Sequence, residues 1–252
     1  TDPQFNFRNE ILDFSSEIEF SSENGKTIGA LAPNEFWYFW RRFLPFSDLD
    51  YLPDLELRAA ANLTGLRDEL NGVANIFKKP FALKSMILNQ NLALLDGQFQ
   101  KAIFVWVKRN PVYNIQSALL ARQKQFGNFN TWYSFKIREY PYLVDLDPLH
   151  SVAGQIAATN ISLEKAQSEI SRDKWINVSY EDFCERQDDY FEELHNLIKS
   201  QDGSGSLAPK ISNLHNFEST NSWKLSEYSV YDVERAYAVM YSNIINNSYE
   251  LR

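Results

Sequence analysis

Cysteine is nearly absent from this sequence, which contains Cys184 alone among its 252 residues. A disulfide within the chain is therefore excluded, and a reducing compartment is favoured over a secretory lumen. Apolar runs are short as well, since none approaches the ~20 residues of a membrane-spanning helix. We expect a soluble cytoplasmic protein. We interpret the four Asn-x-Ser/Thr sequons as chance occurrences in a chain rich in Asn and Ser; they begin at Asn62, Asn160, Asn177 and Asn246.

Positively charged residues are fewer than negatively charged ones. The chain has 25 Lys and Arg residues and 33 Asp and Glu residues, for a net charge of −8 and a pI near 5.0. A nucleic-acid-binding protein would need a basic surface, so we expect no nucleic-acid partner. A few converging cations would still suffice for a phosphorylated nucleotide. Hydrophobic residues make up 44% and aromatic residues 15% of the chain, which excludes disorder. We expect a single domain over residues 1–252, with a flexible Gly- and Ser-rich loop at about 201–209.

Three short apolar segments, residues 81–83, 102–107 and 175–178, predict strands of a sheet. Their continuous apolar character is typical of parallel strands that are covered on both faces. The alternation of these strands with helical patterns predicts an α/β fold, a doubly wound parallel sheet flanked by helices. The helical patterns lie at about 54–76, 86–98, 111–125, 149–171 and 181–200.

The segment that follows residues 102–107 combines the features of an anion site. Lys108 and Arg109 lie at the carboxyl end of the predicted strand, the end where ligands bind in such folds. Asn110 and Pro111 suit the N-cap and first position of a helix, so Arg109 is expected beside free backbone N–H groups. Its guanidinium offers bidentate donors to a phosphate, and Ser117 adds a hydroxyl two turns later. From these residues alone, anion binding and a purely structural role are equally supported.

The pattern Arg-x-Pro-(x)5-Ser from Arg109 to Ser117 resembles the 3′-phosphate-binding segment of sulfotransferases that use 3′-phosphoadenosine 5′-phosphosulfate (PAPS). The usual form in that family is Arg-Asp-Pro-Arg, whereas this chain reads Arg109-Asn110-Pro111-Val112. The resemblance implies that Arg109 and Ser117 bind the 3′-phosphate of PAPS. It further implies a P-loop-NTPase-like fold and a reaction without a metal.

Two flanking segments strengthen the resemblance. Lys84 follows Phe-Ala-Leu, similar to the Leu-Lys-(Asn/Asp)-Pro stretch of the family, which implies that Lys84 neutralises charge on the transferred group. The alternative is a solvated lysine at a strand end. Residues 175–183 resemble the strand and Tyr-Glu-Asp-Leu signature of these enzymes, which implies that Tyr180 lies near the nucleotide. Glu181 and Asp182 more simply charge the first turn of the next helix.

The segment from Asp2 to Glu10 is similar to the one that follows the first helix in tyrosylprotein-type and many bacterial sulfotransferases. There a glutamate is taken as the catalytic base, which implies this role for Glu10. A carboxylate at the start of a helix is an equally weighted alternative. None of His150, His195 and His215 lies in the Lys-Thr-His context of the cytosolic small-molecule enzymes.

The phosphosulfate-binding loop of the family, commonly Gly-x-x-Arg-Ser-Gly-Thr-Thr, has no counterpart in this sequence. Residues 25–27 read Gly-Lys-Thr, but Phe20 stands where a Walker loop needs glycine. We therefore expect the first strand and its loop upstream of Thr1. Near the other end, Trp223 and Lys224 match a Trp-Lys pair of the family, which implies that Lys224 lies near the nucleotide; a surface position is the alternative.

The expected function is transfer of a sulfuryl group from PAPS to a hydroxyl acceptor, with release of adenosine 3′,5′-bisphosphate. Carbohydrate, tyrosine and small alcohols or phenols are all open as acceptors. The aromatic residues at 36–40 are interpreted as core, with a wall of the acceptor cleft as the alternative. Two other functions stay open: another P-loop-fold nucleotide-dependent kinase, and a non-catalytic nucleotide-binding relative. The oligomeric state is open as well.

Overall fold

The structure is a computed structural model that describes residues 21–23, 26–28, 37–46, 50–77, 80–84, 86–202 and 217–246. The chain divides into two compact units, residues 1–88 and residues 89–252, and each is described by itself. The single sulfotransferase-like domain expected over residues 1–252 stays a prediction. Most of the loop expected at about 201–209 lies outside the described residues.

The first unit contains a short antiparallel pair and a series of helices. Strands β1 (Ser21–Glu23) and β2 (Lys26–Ile28) pair with Ser22 opposite Thr27. The helix expected at about 54–76 is divided in two, because the Asn62 side chain accepts the N–H of Gly65 at 2.9 Å and so starts a new helix. The helical elements of this unit are α1 (Trp37–Trp40), α2 (Asp54–Ala60), α3 (Leu63–Phe77) and a 3-10 turn (Met86–Leu88).

The strand predicted at residues 81–83 is wrong. Residues 80–84 are irregular, and Phe81 and Leu83 expose 37% and 39% of their surface. Pro80 has no N–H for a strand ladder, and three apolar residues form a buried strand only where a partner covers them. Lys84 therefore follows an irregular segment instead of a strand end.

The second unit is built around a parallel strand pair. Strands β3 (Phe104–Lys108) and β4 (Trp175–Ser179) confirm the predictions at 102–107 and 175–178. They pair in parallel, with Phe104 opposite Trp175 and Lys108 opposite Ser179. The helical elements of this unit are α4 (Leu92–Gln98), α5 (Pro111–Phe126), α6 (Tyr140–Leu143), α7 (Pro148–Glu169), a 3-10 turn (Arg172–Lys174), α8 (Tyr180–Glu185), α9 (Gln187–Asp202) and α10 (Val230–Ile245).

The described part of the chain is thus mixed α/β, mostly helical, with a small two-stranded parallel sheet. The expectation that the strands are covered on both faces holds only in part for β4: Ile176 and Val178 are buried on one face, and on the other Trp175 is buried but Asn177 is exposed. It is wrong for β3, where Val105 and Val107 are 46% and 59% exposed. None of the helices in the described residues is both long enough and apolar enough to cross a membrane.

Helix α5 begins as its sequence predicts. The Asn110 side chain accepts the N–H of Val112 at 2.9 Å, and Pro111 occupies the first helical position. At the other end Gly127 has a φ of +71°, the left-handed conformation that ends a helix and that glycine adopts without a steric penalty. These two caps define the ends of α5, which begins three positions after the last residue of β3.

Helix α7 forms the centre of the core of this unit and packs against α5 and α10. Gly154 permits a close approach, because a Cβ there would lie 2.3 Å from Cδ2 of Leu143 and 2.9 Å from Cε of Met240. Buried apolar side chains from the three helices fill this interface; they include Ile115, Leu119, Val152, Ala153, Ala157, Val233, Ala236 and Met240.

A buried arginine also joins α5 to α7. Arg122 is fully buried, and its guanidinium donates to the Phe129 carbonyl at 3.2 Å and to Ser151 Oγ at 3.3 Å. It also lies over the ring of Trp132. Burial lowers the pKa of Arg122 to about 10, so the side chain stays charged at neutral pH. It fixes the loop that follows α5.

Candidate functional site

A cleft of about 860 Å³ opens at the carboxyl ends of β3 and β4. Parallel strands place the residues that follow them at one edge of the sheet, where α/β folds bind ligands. The wall comes from these strand ends, the first turn of α5, helix α8 and a later segment. The lining residues are Lys108, Arg109, Asn110, Pro111, Tyr113, Ser179, Glu181, Cys184, Glu185, Phe217, Ser219 and Asn221.

Arg109 lies in this cleft with its guanidinium fixed by stacking and hydrogen bonds. Its Cζ atom is 4.8 Å from the ring centroid of Tyr180 and 5.9 Å from that of Tyr113. Nε donates to Oδ1 of Asn221 at 2.8 Å, and Nη2 donates to Oγ1 of Thr220 at 3.3 Å. Arg109 is therefore preoriented at the sheet edge.

Residues 217–225, which we term the strap, cross the cleft and supply both hydrogen-bond partners of Arg109. The Tyr180 hydroxyl accepts the N–H of Thr220 at 2.9 Å. Further along, the amide of Gln116 donates to the Ser222 carbonyl at 2.8 Å and accepts the Lys224 N–H at 2.6 Å. Gln116 is buried, so this pair of bonds is shielded from water.

The first backbone N–H groups of α5 are already occupied. Oε1 of Glu181 accepts the N–H of Asn110 at 3.1 Å, and the Asn110 side chain accepts that of Val112 at 2.9 Å. Pro111 has no N–H, and the N–H of Tyr113 donates to the Asn110 carbonyl at 3.1 Å. The expectation of free N–H groups beside Arg109 is therefore wrong, because an N-cap and a carboxylate from the neighbouring strand end satisfy them.

Glu181 is a site residue to which the sequence assigned only a helix-charging role. Oε1 accepts a second hydrogen bond, from Nδ2 of Asn221 at 2.7 Å. Burial raises the pKa of the Glu181 carboxyl, but hydrogen bonds from Asn110 and Asn221 and the charge of Arg109 outweigh burial and hold it below its ordinary value. Its position two residues past the end of β4 was the available signal.

The remaining expected site residues lie in different places. Ser117 is half-buried on α5, one turn beyond Tyr113 on the same helix face. Lys224 is exposed, and its backbone N–H binds Gln116. Lys84 is exposed in the first unit, and Glu10 lies outside the described residues. The functional roles assigned to all of these residues stay predictions.

The chain matches no protein-family model, no curated protein and no solved structure. In the part of the chain that the structure describes, no three His, Cys, Asp or Glu side chains converge as a metal site would require. The charged residues that line the cleft are two cations, Lys108 and Arg109, and two carboxylates, Glu181 and Glu185.

Proposed function

We propose that this protein is a PAPS-dependent sulfotransferase that binds the bisphosphorylated adenosine in the cleft at Arg109. The observation that carries the proposal is the position of Arg109: directly at the carboxyl end of β3, stacked on Tyr180 and facing the cleft. A fixed guanidinium at this edge is suited to bind a phosphate through paired, charge-assisted hydrogen bonds.

The chemistry of the cleft wall supports a nucleotide as the ligand. Lys108 and Arg109 supply positive charge, while Phe217 and Tyr113 line the same space with aromatic rings. Phe217 is 55% exposed and stacks on Phe183 with ring centroids 5.9 Å apart, so one of its faces is available to a purine. The volume of about 860 Å³ lies in the range of small-molecule sites.

Within this proposal Arg109 and Ser117 bind the 3′-phosphate, Tyr180 orients Arg109, and Lys224 contributes from the strap. The oxygen of the acceptor hydroxyl attacks sulfur and forms the new S–O bond as the bond from sulfur to the bridging phosphate oxygen breaks. The departing group is adenosine 3′,5′-bisphosphate. The acceptor proton passes to Glu10, and Lys84 offsets the charge on the bridging oxygen. The roles of Glu10 and Lys84 rest on the resemblance alone.

The proposal includes a P-loop-NTPase-like doubly wound sheet. Its support is that β3 and β4 are adjacent parallel strands, distant in sequence, and that each is followed at once by a helix. This is the repeating unit of such sheets.

A second candidate is a nucleotide-binding relative without catalytic activity. It is favoured by the occupied N–H groups at the start of α5, since Asn110 already donates to Glu181. An anion at this edge would depend on side chains more than on the backbone donors that phosphate-binding loops use.

The experiment is a calorimetric titration with adenosine 3′,5′-bisphosphate and, separately, with ATP and Mg²⁺, followed by a transfer assay with ³⁵S-labelled PAPS and a panel of hydroxyl acceptors. The proposal predicts binding of the bisphosphate and labelled product. Binding without transfer to any acceptor favours the non-catalytic relative. Preference for ATP with Mg²⁺-dependent turnover favours a kinase and contradicts the proposal.

A further inference from the structure

The carboxylate of Glu181 accepts two converging hydrogen bonds at the start of α5. Oε1 accepts hydrogen bonds from the Asn110 backbone N–H at 3.1 Å and from Nδ2 of Asn221 at 2.7 Å. Two converging donors at the start of a helix are typical partners of an oxyanion. In this protein they are bound by an anion that the chain itself supplies.

The side chain of Asn221 connects this carboxylate to Arg109. Its Oδ1 accepts from Nε of Arg109 at 2.8 Å, while its Nδ2 donates to Glu181. Because a guanidinium only donates and a carboxylate only accepts, these partners define the orientation of the amide. A cation, a neutral amide and an anion therefore form one chain of hydrogen bonds between the ends of the two strands. The strap supplies the central residue of this chain, Asn221.

The charge of Glu181 opposes the binding of a second anion. The residue lines the same cleft as Arg109, and the charge of Arg109 acts on its carboxyl group. A phosphate that approaches Arg109 meets this negative charge and finds the nearby donors occupied.

We propose that Glu181 is an internal counter-anion of the Arg109 site, which lowers the affinity of the cleft for phosphorylated ligands and is displaced from Asn110 and Asn221 when such a ligand binds. The inference rests on the proposed function for the identity of the ligand, a phosphorylated adenosine. It assigns Glu181 a role in ligand selection that differs from catalysis and from nucleotide contact. Displacement of Glu181 also releases Asn221, so ligand binding changes the contacts of the strap.

The test compares Glu181→Gln with the wild type by titration with adenosine 3′,5′-bisphosphate and with uncharged adenosine. Glutamine keeps the shape and the acceptor oxygen of Glu181 but removes the charge. We expect about tenfold tighter binding of the bisphosphate, the order expected for one unit charge at a partly exposed site. The affinity for adenosine should not change, which a merely structural role of Glu181 would not predict.

Glu185→Gln is the matched control. Glu185 lies one helical turn from Glu181 on α8 and lines the same cleft, so its substitution removes an equal charge. Its carboxylate is not the partner of Asn110 or Asn221. We expect its effect on bisphosphate affinity to be less than about threefold, because the exposed Glu185 carboxylate is screened by solvent and forms no charge-assisted hydrogen bond with Asn110 or Asn221, whereas Glu181→Gln weakens both of those bonds.

A second measurement needs no substitution. The carboxyl ¹³C resonance of Glu181 in the wild type should shift on addition of the bisphosphate. The reason is that the N–H groups of Asn110 and Asn221 would then donate to the ligand instead of to Glu181. This measurement decides the question if Glu181→Gln fails to fold.

The outcomes separate the two proposals. Selective tightening in Glu181→Gln, or the ¹³C shift in the wild type, supports the inference. If the wild type binds the bisphosphate and Glu181→Gln binds it equally or more weakly, the inference is overturned while the proposed function stands. If neither form binds the bisphosphate, the proposed function fails and the inference fails with it.

Discussion

The guanidinium of Arg109 lies over the ring of Tyr180, with Cζ 4.8 Å from the ring centroid. The two residues directly follow β3 and β4, which pair in parallel with Lys108 opposite Ser179. Strand pairing thus brings together two side chains that are far apart in the chain. The cation–π contact limits the rotamers of Arg109 before any ligand binds, which lowers the entropy cost of binding.

The two hydrogen bonds between Gln116 and the strap should control the stability of that segment. Gln116→Leu removes both hydrogen bonds, to Ser222 and Lys224, and leaves two backbone groups without these partners. We expect a loss of about 1–3 kcal/mol in the free energy of unfolding. Faster amide exchange at Lys224 should accompany it.

The control for this variant is Gln123→Leu, an exposed position on the same helix. It should change the free energy of unfolding by less than about 0.5 kcal/mol. If the Lys224 amide were equally protected from hydrogen exchange in Gln116→Leu and in the wild type, the Gln116 side chain would not stabilise the strap.

Glu181 should contribute to the free energy of unfolding at neutral pH, and this contribution should be lost in acid. Its pKa is below the ordinary value of 4.5 in the folded protein, because the hydrogen bonds from Asn110 and Asn221 and the charge of Arg109 outweigh burial, which acts in the opposite direction. The unfolded chain therefore takes up the proton first, so the stabilisation is present above pH ~4.5 and is lost as pH falls through the lowered pKa.

Urea unfolding at pH 7 and at pH values below 4.5 measures this effect. Glu181→Gln should lose less stability than the wild type over this interval, because it has no carboxyl to protonate at position 181. Parallel decreases in the two proteins would count against a role for Glu181 in acid stability.

The contact at Gly154 predicts a large effect of one added methyl group. Gly154→Ala places a Cβ 2.3 Å from Cδ2 of Leu143, so α6 or α7 must shift. We expect a destabilisation of about 1–3 kcal/mol, the usual cost of overpacking. In Gly72→Ala, the control in α3, the new Cβ has no atom within 4 Å, and stability should rise by about 0.5–1 kcal/mol. Thermal melts compare the two variants, and a Tm of Gly154→Ala equal to that of the wild type would contradict the packing argument.

The sequence predicted those parts of the structure that depend on local signals. Local sequence alone indicates the strands at 102–107 and 175–178 and the helix start at Asn110-Pro111. The structure confirms them as β3, β4 and the start of α5. The strand at 81–83 failed because burial requires a partner, and three apolar residues do not specify one.

The candidate site was predictable only in part for the same reason. Arg109 and Tyr180 could be placed at the carboxyl edge, because each directly follows a predicted strand. The contacts of the strap with the cleft, and the occupation of the Asn110 N–H by Glu181, depend on pairs 40 or more residues apart in sequence, which no local pattern reports. Only the fold brings those groups together.

The central claim, that Arg109 binds the 3′-phosphate of a bisphosphorylated adenosine, is tested most directly by two ligands that differ in that group alone. Adenosine 3′,5′-bisphosphate and adenosine 5′-monophosphate are titrated into the wild type, Arg109→Ala and the control Arg186→Ala, whose side chain is exposed and pairs with Asp182 and Asp189. The wild type and Arg186→Ala should prefer the bisphosphate by about tenfold to a hundredfold, the contribution of a charge-assisted contact, and Arg109→Ala should lose the preference. Equal affinities in the wild type, or a preference that survives in Arg109→Ala, would contradict the account.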